Sequence, residues 1–87
     1  MNYIYIVEMM HSRSDNVELL GKFETLNNSY DYIKNYSDNY GFKMVLDYRH
    51  LSEDQKKGSI IAVNNVKRPS KFINIRSDIN RRRKLTM

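Results

Sequence analysis

Alternation of apolar and polar positions opens the chain. Tyr3, Tyr5, Val7 and Met9 fall on one side of an extended segment and Ile4, Ile6, Glu8 and Met10 on the other. The residue types are strand-prone throughout, so residues 2–10 are predicted as a strand. Both sides are largely apolar, which calls for a central strand covered on two sides or a sheet whose second face meets a partner. The polar run from His11 to Asn16 reads as a loop and Val17 to Glu24 as a second strand, with Gly21 a candidate bulge. A hairpin joins the two.

The period then changes from two to 3.6. Thr25 is suited to cap a helix from Leu26 to about Asp38, with Asn28 a competing start because Asp31 follows it in capping-box fashion. Leu26, Tyr30, Ile33 and Tyr40 keep helical spacing, with Tyr36 beside them, so one stripe packs on the sheet. Tyr32 is expected to be displaced from that stripe, while Asn27, Asp31, Lys34 and Asp38 stay in water. Gly41 is the expected stop.

Beyond the helix, Phe42 to Tyr48 alternates as a half-buried strand, His50 to Ser59 is charged and breaker-rich and reads as a loop, and Ser59 to Val63 is a short interior strand. Asn64 to Ser70 holds the lone proline and reads as a turn, and Lys71 to Arg76 alternates again. The order β-β-α-β-β-β, with hairpin-length connections on either side of one helix, predicts an α+β fold. It is a small antiparallel sheet covered by a single helix and followed by a basic C-terminal tail. Residues 1–76 are assigned to one domain and 77–87 to the tail.

Charge changes this picture at one end only. Residues 66–87 hold eight cations and one acid, a net +7, whereas residues 1–65 hold seven cations and nine acids, a net −2. Such asymmetry is the footprint of a segment that meets phosphate or another acidic surface, because screened attraction acts over roughly 8–10 Å and needs no shaped pocket. Lys67, Arg68, Lys71, Arg76, Arg81, Arg82, Arg83 and Lys84 are the candidate contacts, and the planar guanidinium suits phosphate because it donates two parallel hydrogen bonds. They form a continuous positive edge if the tail folds back or extends as a helix. Tyr32, outside the apolar stripe, is the candidate aromatic contact to a base or a protein partner.

Composition mostly excludes. An 87-residue chain supports one modest core, so it is expected to work through its surface rather than a deep pocket. The absence of cysteine removes disulfides, thiolate metal sites and cysteine nucleophiles. Gly21, Gly41 and Gly58 lie too far apart for a phosphate-cradling loop. Asp47, His50, Glu53 and Asp54 are the one histidine-carboxylate cluster, and their spacing fits neither a helical zinc pair nor a calcium loop. They read as a solvated loop, and His11 as an exposed turn residue. No enzyme activity, metal or cofactor is expected. No helix-turn-helix, zinc-finger or RNA-recognition signature is present, so base reading is not expected either.

The N-terminal residues lack the basic and apolar regions of a secretory signal, and no stretch approaches the roughly 20 apolar residues that span a bilayer. The reading is an intracellular protein, in the cytoplasm of the producing or host cell, with no membrane partner. Ten Asn, eight Ile, eight Lys and seven Tyr against one Ala and one Pro reflect A/T-rich coding, as in phages, large DNA viruses and mobile elements, or an A/T-rich bacterium. The functional expectation is therefore a small non-enzymatic binding protein, phage, viral or mobile-element encoded, that engages nucleic acid or a nucleoprotein, without sequence preference, through its basic C-terminal segment. The alternative is a viral accessory protein acting by protein–protein contact with an acidic surface, as an inhibitor of a host enzyme or a minor virion component.

Overall fold

Thr25 and Gly41 bound the helix as their chemistry requires. In the computed structural model, which describes residues 3–47, 49 and 58–79, α1 spans Leu26–Tyr40. The Thr25 hydroxyl accepts from the Asn28 N–H at 3.1 Å, satisfying one of the donors that a helix start leaves open. Gly41 sits at φ 76°, in the left-handed region, and the Phe42 N–H returns to the Ser37 carbonyl at 2.9 Å. Gly41→Ala is expected to lower stability by about 1 kcal/mol, measured by urea titration, because an L side chain is strained at that φ. An unchanged midpoint would show that the helix ends elsewhere.

Five strands complete the chain: β1 Tyr3–His11, β2 Ser14–Phe23, β3 Lys43–Met44, β4 Ser59–Val63 and β5 Lys71–Ile79. They form one antiparallel sheet in the order β2-β1-β5-β4-β3, with α1 on one face, which is the α+β architecture expected. The first and last long strands, β1 and β5, pair along their whole length, from Tyr3 opposite Ile79 to His11 opposite Lys71. β1 is thus an interior strand, consistent with its two apolar sides.

The core lies between this sheet and α1. Val7, Met9, Ile61, Ala62, Ile73 and Ile75 meet Ile33 of the helix, and all are buried. Ser29 and Ser37 flank Ile33 on the same helix face and are also buried, a feature that apolar periodicity misses. Their small side chains let the helix approach the sheet, and neither hydroxyl is orphaned: Ser29 Oγ donates to the Leu26 carbonyl at 2.7 Å and Ser37 Oγ to Met44 Sδ at 3.5 Å. On the opposite face, Ile6 is 5% exposed between the cross-strand neighbours Lys22 and Arg76.

Two expectations change. The loop predicted over residues 11–16 is a turn of only Ser12 and Arg13, because β2 starts at Ser14. The strand predicted over residues 42–48 reduces to Lys43–Met44, although Val45 adds one bond to the Ile61 carbonyl at 2.8 Å. Phe42, Met44 and Leu46 do pack on the core, so the alternation reported burial where the ladder was already ending. The bulge near Gly21 is present, with the register stepping from Gly21 to Leu19 and leaving Leu20 extra. A Cβ at Gly21 would lie 2.9 Å from the Phe23 ring, which would have to shift to admit it.

Candidate functional site

Antiparallel pairing collects cations from separate parts of the chain. Lys43 is opposite Val63, Val63 opposite Phe72, and Phe72 opposite Met10, so these residues form one row near one end of the sheet. Lys71 and His11 form the next row outward. The same end carries the β1–β2 turn with Arg13 and the β4–β5 loop with Lys67 and Arg68. Arg13, Lys43, Lys67, Arg68 and Lys71 are all exposed, and among the described residues no carboxylate pairs with any of them.

Two asparagines hold the loop that presents Lys67 and Arg68. Asn65 Oδ1 accepts from the Lys67 N–H at 2.9 Å and the Arg68 N–H at 3.3 Å, closing a local turn. Asn64 Oδ1 accepts from the N–H groups of Ser70 and Lys71 at 2.9 and 3.0 Å, and its amide donates to Ser70 Oγ at 2.9 Å. The Ser12 N–H then donates to the Ser70 carbonyl at 2.9 Å, joining the hairpin turn to this loop. The cations thus stand on a hydrogen-bonded frame, which lowers the entropy lost when they engage a ligand. Beside the frame lies an open cleft of about 510 Å³, lined by His11, Arg13, Ser14, Glu18, Ser70 and Lys71 among others.

Arg76 does not join this group. It points from the middle of β5 to the face away from α1, where Nε donates to Glu8 Oε1 at 2.9 Å and Nη2 to Oε2 at 3.4 Å. The hydrogen bond to Glu8 raises the guanidinium above its ordinary value, so Arg76 is a structural cation with its charge balanced. Arg81, Arg82, Arg83 and Lys84 lie outside the described residues. Their point of departure is nevertheless informative: Ile79 is opposite Tyr3, at the other end of the sheet from Lys71. Nine extended residues separate the two ends by about 27 Å. Within the described residues the positive edge read from the sequence is therefore interrupted by β5, and Arg13 and Lys43 join it from elsewhere. Their distance in sequence from the basic segment gave no signal.

Tyr32 also has a different setting from the one expected. It is half-buried, with its ring 5.3 Å from Phe23 and stacked on Tyr36 at 6.1 Å, whereas Tyr40 is 66% exposed. The reason is rotation about the helix: Ser29, Ile33 and Ser37 take the centre of the packed face, Tyr32 packs on Phe23 of β2, and Tyr40 is left at the exposed margin. Burial raises the Tyr36 phenol above its ordinary value, with Glu18 of β2 and Tyr40 reinforcing the shift.

Of the histidine-carboxylate group, His50, Glu53 and Asp54 lie outside the described residues, and Asp47 accepts from Arg49. Among the described residues no cluster of three or more metal-ligating side chains occurs, and no helix is long and apolar enough to cross a membrane. No protein-family model, curated protein or solved structure matches the chain.

Proposed function

We propose that the chain is a non-enzymatic binding protein that engages the phosphate backbone of nucleic acid, alone or in a nucleoprotein, without sequence preference. The observation that carries this reading is the set of five exposed cations, Arg13, Lys43, Lys67, Arg68 and Lys71, drawn to one end of the sheet from four segments. Unpaired cations on a rigid rim repel one another unless an anion meets them, and a polyanion meets several at once. Arg81 to Lys84 add charge to the same partner along a second stretch of its backbone. An intracellular site of action and a phage, viral or mobile-element origin accord with this reading and with the composition.

The test is a titration of mixed-sequence DNA and RNA at several salt concentrations. Each phosphate contact contributes about 0.7–0.9 to the slope of log affinity against log salt, so the five cations of the rim contribute about 3.5–4.5 and contacts from Arg81 to Lys84 add to that. Absence of binding at low ionic strength would refute the proposal.

A second reading, contact with another protein, draws on a separate observation. Val17 and Leu19 are 53% and 55% exposed on the same face of β2, a ten-residue strand at the open edge of the sheet. An exposed apolar edge strand is a template for a further strand.

A further inference from the structure

The ring of Tyr40 packs on one side only and is otherwise open to solvent. It lies at the C-terminal end of α1, three residues before Lys43, and therefore at the same end of the molecule as the cations. Its ring centroid is 4.5 Å from that of Tyr36, which in turn meets Phe42 edge-on at 5.7 Å, so the ring has a packed neighbour on one side. Beside it runs an open groove of about 430 Å³ lined by Tyr32, Asn35, Tyr36, Asn39 and Tyr40. Aromatic faces supply stacking surface, and the Asn amides both donate and accept hydrogen bonds, as the edges of bases require. Glu18 of β2 lines the hairpin cleft on the far side of β1 from Lys71, and its charge contributes to raising the Tyr36 phenol.

Cations that track a backbone, next to an aromatic groove, match the chemistry of an unpaired strand. A duplex keeps its base faces stacked inside and offers the groove nothing. We infer that the site takes single-stranded nucleic acid, with a base stacked on Tyr40 and neighbouring phosphates on Arg13 and Lys71. This rests on the phosphate-binding reading above and adds a preference to it. Glu18 opposes phosphate locally, which directs the backbone toward the Arg13 and Lys71 side of the cleft.

The experiment is a fluorescence-anisotropy titration of the full chain with a labelled oligothymidine of about 12 nucleotides and with a mixed duplex of similar length. The single strand is expected to bind more tightly. Y40A should weaken single-strand binding by about 5- to 150-fold, the range for losing one stacked base, with no change in salt slope or duplex binding. Y40F keeps the ring and should retain wild-type affinity, which separates stacking from any loss of fold. Equal affinity for the two ligands, or no effect of Y40A, overturns the inference while salt-dependent binding leaves the parent reading standing. Failure of the wild type to bind either ligand at low salt overturns both.

Discussion

Ile73→Ala is expected to lower folding stability by about 2–5 kcal/mol, the range for truncating a large aliphatic side chain in a packed core. Ile73 is fully buried on β5, the middle strand of the sheet, with Met9 and Ala62 as its cross-strand neighbours. The cavity left behind cannot collapse easily, because its walls belong to three strands in fixed register and to a helix anchored by Ile33. A domain of this size has a total stability on the order of 5–15 kcal/mol, so the variant should approach the threshold of unfolding. Urea denaturation followed by circular dichroism reads the effect as a lower midpoint at similar slope. Val17→Ala, at an exposed position on β2, should stay within about 0.5 kcal/mol of wild type. Similar midpoints for the two variants would mean that the core is not where the strand order puts it.

The largest effect on binding is expected from Lys67→Ala, Arg68→Ala and Lys71→Ala combined. Removing three phosphate contacts should lower affinity for nucleic acid by roughly 10- to 100-fold at low salt and reduce the log–log salt slope by about 2–3. The fold should survive, since all three side chains are exposed and, among the described residues, make no ion pair. Arg76→Ala provides the contrast. Its charge is balanced by Glu8, so the salt slope should be unchanged, while loss of the partner to a mostly buried carboxylate costs about 1 kcal/mol of stability. If Arg76→Ala flattens the slope and the triple variant does not, the interface lies on the open face of the sheet, and the hairpin end is not the site.

These contrasts also separate what is legible in the chain from what is not. The helix could be read almost residue by residue, because its signals are local: Thr25 caps a donor three residues on, and Gly41 supplies the positive φ that ends it. The strands read at residues 2–10 and 71–76 were likewise visible in a period of two, and they stand at Tyr3–His11 and Lys71–Ile79, the second running three residues further than its alternation indicated. Each of these depends on neighbours within a turn of helix or a few residues of strand, where the sequence states the physics directly.

Pairing is a different kind of information. That β1 lies against β5, that Glu8 neutralises Arg76 across 68 positions, and that Arg13 and Lys43 stand beside Lys67, Arg68 and Lys71 all follow from strand order and register. Many orders satisfy the same alternation, and the one adopted is selected by how Ile33 and the two buried serines of α1 fit over Val7, Ile73 and Ile75. The same fit turns Tyr32 inward and leaves Tyr40 outside. A count of charges along the chain therefore finds the cations, but packing decides which of them share a rim and which are already spent on a partner.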